Sequence, residues 1–95
     1  MTQSDKDIQN VVDVARRHKV GRLYLVGSAL EVGREPRDYD FAVEDLPTGS
    51  FFRFYGEVMN AVSKPVDLID LSGPNTKFKD IIRQEGKVIY ERKAA

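Results

Sequence analysis

Four short apolar runs alternate with segments patterned at helical spacing, and that alternation limits the fold more than any other feature. Arg22-Leu23-Tyr24-Leu25-Val26, Tyr39 to Glu44, Val66 to Leu71 and Lys87 to Glu91 each read as a strand. Before the first run, Ile8, Val11, Val12 and Ala15 recur at the i, i+3, i+4, i+7 spacing of a helix with one buried face. Ser4 is placed to cap that helix with Asp7 three residues on, acidic side chains fill its first turn, and Arg16, Arg17, His18 and Lys19 suit its C-terminal dipole, with Gly21 as terminator. A second helix, entered from a turn and capped at Ser50, carries Phe51, Phe54, Tyr55, Val58, Met59 and Val62 as a core stripe. A third, short helix turns Phe78, Ile81 and Ile82 inward and ends near Gly86. The expected order is αβ(α)βαβαβ, the bracket marking one helical turn after Ser28. That order gives an α/β (α+β) domain with helices packed on a small mixed sheet of about four strands. The run Val66–Leu71, apolar on both faces, is expected in the centre of the sheet.

At 95 residues, 41% apolar and 32% charged, the chain has the composition of a single globular domain, with residues 1–3 and 92–95 expected to fray. Fifteen basic residues balance fifteen acidic ones, so no global field holds nucleic acid, and such binding would need a local patch. Cysteine is absent and His18 is the single histidine, which argues against thiolate and histidine zinc sites. His18 reads as a helix-end residue. No apolar run reaches membrane-spanning length and the N-terminal segment lacks a signal pattern, so a cytoplasmic protein is expected.

The candidate chemistry lies between the first two strands. Gly27-Ser28 follows a strand directly, where glycine allows a sharp turn and Ser28 can offer a hydroxyl and backbone N–H to a phosphate. Alone, such a pair is more often a plain turn. Asp38 and Asp40, two apart at the start of a strand, project to the same side. At about 6–7 Å and an effective dielectric near 20 they repel by roughly 2–3 kcal/mol, which a bound cation would reverse. The competing reading is a solvated strand start. Asp67 interrupts an otherwise apolar strand and, if its strand neighbours that of Asp40, completes a two-metal clamp for magnesium of the kind phosphoryl transfer uses. Asp70 has the opposite parity and reads as a strand-end or turn residue, although the choice between Asp67 and Asp70 stays open. Arg34 and Arg37 could neutralise triphosphate charge, as could Lys64 with a weaker claim; solvated loop residues are the commoner case.

Leu25-Val26-Gly27-Ser28 followed by Asp38-Tyr39-Asp40-Phe41-Ala42-Val43 resembles the Gly-Ser…Asp-x-Asp signature of the DNA polymerase β-like nucleotidyltransferases. Val66–Leu71 looks like that family's third-carboxylate strand, and the stretch from Ile82 to Glu91 is similar to the ending of its minimal (MNT) members. The resemblance implies a nucleotidyltransferase fold and a catalytic core without an attached substrate-binding domain. It implies Mg²⁺ at Asp38, Asp40 and Asp67, with Asp67 also helping to activate the acceptor hydroxyl, and triphosphate contact at Ser28. It further implies ATP or another NTP as substrate, and a HEPN-type toxin partner whose tyrosine receives AMP, the two proteins forming a toxin–antitoxin couple. One stretch departs from the family. Ala29-Leu30-Glu31-Val32-Gly33 stands where an Arg-Ala-Arg-Gly-like stretch is usual, so two positive charges are missing and one negative charge is present. The alternative expectation is therefore a non-catalytic module of the same fold that acts by binding its partner. A template-directed polymerase role is disfavoured, since a neutral chain of this length has little surface for a template.

Overall fold

A computed structural model describes residues 3–27 and 36–93. Helix α1 (Gln3–His18) leads into strand β1 (Arg22–Val26), and β2 (Tyr39–Glu44) follows. Helix α2 (Phe51–Ala61) then carries the chain to β3 (Val66–Asp70), and α3 (Lys77–Glu85) to β4 (Lys87–Glu91). The helical turn expected after Ser28 lies outside the described residues. The strands form one mixed sheet in the order β3-β2-β1-β4. β1 pairs antiparallel with both β2 and β4, whereas β2 and β3 run parallel. A parallel pair needs a crossover, and α2 supplies it.

Alternation along the strands sends side chains to two unlike faces. Leu23, Leu25, Tyr39, Phe41, Val43, Val66 and Leu68 form the main core against Val11, Val14 and Ala15 of α1 and Phe54 and Val58 of α2. The opposite face is narrower. There Tyr24 and Ala42 meet Leu71 and Ile82, with Val26 and Ile69 packed alongside. Arg83 fixes α3 over this face, donating to Glu44 (3.0 Å), to the Leu71 carbonyl (3.2 Å) and to Asn75 (2.7 Å). Thr76 caps α3 by accepting from the Lys79 N–H at 3.1 Å.

Several local expectations are corrected. β3 lies at a sheet edge rather than in its centre. Its double-sided apolarity arises because Val66 and Leu68 face the α1/α2 core while Ile69 packs on the α3 side. One buried face and a partly buried Ile69 on the other give this pattern without a strand on both sides. In α3 only Ile82 is buried, while Phe78 and Ile81 stay exposed. Of the β2 residues on that face only Ala42 is apolar, because Asp40 and Glu44 share its parity. Met59 of α2 is exposed as well. Ser50 occupies the N-cap position of α2 without a side-chain capping bond. Ser4 lies inside α1, not at its cap, and Lys19 (φ 56°), rather than Gly21, takes the left-handed conformation after the helix. Gln3 already belongs to α1, and Arg92 is tied back by its N–H to the Gly21 carbonyl (3.0 Å) and its guanidinium to that of Lys19 (2.9 Å). His18 joins α1 to α2, with Nε2 2.9 Å from Glu57 and its ring edge-on to Phe54 at 5.3 Å.

Candidate active site

Strand pairing brings the proposed carboxylates to one corner of the sheet. Asp40 and Asp67 are register partners on the parallel strands β2 and β3, and both have the parity of the α3 side. Asp38 shares that parity and immediately precedes β2. Across the antiparallel pair, Asp40 lies opposite Val26, the residue before Gly27. Asp70 falls on the other parity, and its carboxylate accepts the Ser72 N–H at 2.9 Å in a local turn.

The electrostatics of this corner are those of crowded like charge. Asp40 is half-buried, and its carboxyl is pushed above its ordinary value, first by burial, then by the charges of Asp38 and Asp67 and by a hydrogen bond with Asp67 that favours the neutral form. Asp38 and Asp67 are exposed. As the side chains stand, no three acidic or histidine residues among the described residues surround a common point closely enough to hold a metal ion. The donor set itself suits a hard cation, since all three groups are carboxylates and two sit in register on neighbouring strands.

Gly27 has a role that sequence reasoning assigned to a ligand. Its φ is +75°, and a β-carbon built on it would lie 2.6 Å from Oδ2 of Asp40. The missing side chain makes room for the carboxylate itself. Gly27→Ala is therefore expected to cost about 1–2 kcal/mol from backbone conformation alone and to displace Asp40. Thermal denaturation, with the Asp40 carboxyl followed by NMR, checks both effects. An unchanged melting temperature would contradict them.

The remaining candidates are unevenly placed. Ser28 and Arg34 lie outside the described residues. Arg37 is exposed immediately before Asp38. Lys64 donates to the Pro36 carbonyl at 2.7 Å and lies over the Tyr39 ring at 5.5 Å, so it ties the end of the loop to the sheet.

Sequence reasoning missed the anchor beneath the carboxylates. Tyr39, between Asp38 and Asp40, has the opposite parity and is fully buried in the main core. Its hydroxyl donates to Oδ2 of Asp7 at 2.8 Å, and Asp7 also accepts from Ser63 (2.9 Å) and Gln3 (2.9 Å). Asp7 is 1% exposed. The signal was present: Asp7, Val11, Val14 and Ala15 share the helical spacing of a buried face, and this face contains one carboxylate.

A family model described as polymerase beta, nucleotidyltransferase matches residues 6–95. The chain belongs to this nucleotidyltransferase family. No curated protein matches it. Among solved structures, the nucleotidyltransferase domain is similar to a chain of a toxin–antitoxin crystallised with AMP-PNP, at 22% identity and a TM-score of 0.69, over 88% of this chain and 73% of that one. It is also similar to a chain of the MntA–HepT toxin–antitoxin, at 21% identity and TM-score 0.65, over 90% of this chain and 70% of that one. A mutant toxin–antitoxin of the same kind gives 21% identity and TM-score 0.67, over 88% and 72%. At these identities the likeness is one of fold. No helix among the described residues is long and apolar enough to cross a membrane.

Proposed function

We propose that this nucleotidyltransferase moves a nucleoside monophosphate, AMP from ATP, onto an acceptor hydroxyl, and that the acceptor is a tyrosine of a HEPN-type toxin partner. The observation that carries this reading is the in-register placement of Asp40 and Asp67, with Asp38 on the same side, beside the Gly27 turn. Asp38, Asp40 and Asp67 would hold Mg²⁺, which supplies charge neutralisation of the triphosphate and polarisation of its phosphoryl oxygens. Asp67, exposed at the sheet edge, would help activate the acceptor hydroxyl by taking its proton. The acceptor oxygen forms its bond to the α-phosphorus as the bond to the bridging oxygen breaks, and pyrophosphate leaves. Arg37, with Arg34, would meet the negative charge of the triphosphate. Gly27 keeps Asp40 in place, and Tyr39, buried behind it, holds the strand that carries the carboxylates.

The partner is proposed from the fold likeness to toxin–antitoxin chains. Incubation with α-labelled ATP, Mg²⁺ and a HEPN-type partner encoded beside this chain should transfer label to the partner. Absence of transfer under conditions in which a homologous pair reacts would refute the assignment.

Ala29 and Glu31, standing where cations are usual, favour a second reading in which the domain neutralises its partner by binding alone. The two readings separate in the Asp38→Asn/Asp40→Asn double variant. A binding module still neutralises the partner, whereas an enzyme keeps binding and loses neutralisation.

A further inference from the structure

We propose a second anionic-ligand site, diagonally opposite the carboxylates, that takes a nucleobase-bearing phosphate. α1 and the end of β4 enclose a groove of about 610 Å³, within the range of small-ligand pockets. Its apolar lining comes from Val12, Ile89 and the ring of Tyr90. Arg16, paired to Asp13 at 3.0 Å, lines it together with Lys19, Arg92 and Lys93 as cations, and Glu91 is the one carboxylate of the lining. That carboxylate is already engaged, since Arg22 donates to it at 3.0 Å. In a chain of zero net charge Lys19, Arg92 and Lys93 leave a local basic excess, and it supplies the local patch that composition alone could not reveal.

The lining also has the division of labour that a nucleotide needs. The Arg16 guanidinium lies 6.0 Å from the centre of the Tyr90 ring, so a planar cation and an aromatic surface stand together at the groove. A base can stack against such a pair while its phosphate meets the basic side chains. Lys19 and Lys93 have no ion-pair partner among the described residues, which leaves both ammonium groups available to an anion. The proposed catalytic corner cannot account for this groove. β4 and β3 are the two opposite edges of the sheet. Arg22 pairs with Glu91 at one end of β1, and Val26 pairs with Asp40 at the other. Tyr90 and Ile89 pack with the α1 core, whereas Asp40 has the parity of the α3 face.

Nuclear magnetic resonance titration of the full chain without divalent cation tests the site, with AMP, a short single-stranded oligoadenylate and inorganic phosphate as probes. Saturable shifts are expected at Val12, Ile89, Tyr90 and Arg92 with AMP or the oligonucleotide. AMP binding about as well as the oligonucleotide identifies a free nucleotide as the ligand; oligonucleotide binding at least tenfold tighter identifies a nucleic-acid strand. Either outcome supports the site. The Lys19→Gln/Lys93→Gln variant should weaken binding about tenfold and reduce the salt dependence of the oligonucleotide affinity by about 0.7 per charge removed. Asp38→Asn/Asp40→Asn should leave binding at this groove unchanged. Absence of saturable shifts there would overturn the proposal. So would inorganic phosphate binding as tightly as AMP, or affinity that ignores the lysine substitutions.

Discussion

Asp40→Asn is expected to lower nucleotidyl transfer by about 10²–10³-fold while leaving the melting temperature unchanged or slightly raised. The two effects have different origins. Loss of transfer follows from removing one of three charges that would hold the cation and, through it, the triphosphate. The neutral or favourable effect on stability follows from the crowding of Asp40 by burial, by Asp38 and Asp67, and by its hydrogen bond with Asp67. Because its folded-state carboxyl is raised, the associated stability is complete below the unfolded value of 3.8 and is lost as pH rises through the higher folded value. Above that folded value the ionised Asp40 therefore opposes folding, and asparagine removes that penalty. Initial rates with labelled ATP, together with thermal melts at pH 7, check both halves. Transfer within threefold of wild type would remove Asp40 from the reaction; a melting temperature several degrees lower would contradict the repulsive electrostatics.

Asp7→Ala is expected to have the opposite profile, with the largest loss of stability of any single substitution considered. Asp7 is buried and accepts from Tyr39, Ser63 and Gln3, and alanine leaves the Tyr39 hydroxyl in the core without that acceptor. Truncating one partner of such a network costs about 3 kcal/mol. For a domain of this size that corresponds to a drop of roughly 12–24 °C in melting temperature. Burial by itself would raise the Asp7 carboxyl, but the bonds from Tyr39, Gln3 and Ser63 outweigh it and hold the group below 3.8. Its stabilisation is thus present above the unfolded value and is lost as pH falls through the lower folded one. Asp7→Asn should accordingly flatten this acid-side loss, which urea melts at pH 2–6 would measure. A variant with wild-type stability, or with an unchanged acid profile, would show that the network contributes nothing net. Since Tyr39 separates Asp38 from Asp40, Asp7 variants that remain folded should also bind divalent cation more weakly.

The strands and helices were legible because their spacing in the chain is the spacing that burial demands. The four strand runs and the helix over Phe51–Ala61 could be read from periodicity and turn residues alone. The third helix was harder. Phe78, Ile81 and Ile82 share a helical side, but spacing cannot say how much apolar surface lies beneath that side, and here the apolar patch is narrow and flanked by Asp40 and Glu44 of β2. Asp7 was misread for a related reason. A carboxylate in a first helical turn suits the dipole, and its burial depends on a tyrosine 32 residues away.

Local chemistry along the chain determined which residues could share a side of a strand. Period-two alternation puts Asp38 with Asp40 and separates Asp67 from Asp70. It could not determine which strands were neighbours. Pairing of β2 with β3, which sets Asp40 beside Asp67, and the approach of Gly27 to Asp40 are long-range outcomes. They follow from how α2 crosses over and how the two sheet faces are covered. The same holds for the edge position of β3 and for the basic groove, whose cations come from the two ends of the sequence. Spacing fixes the direction of a side chain, and only the packing of distant segments decides what it faces.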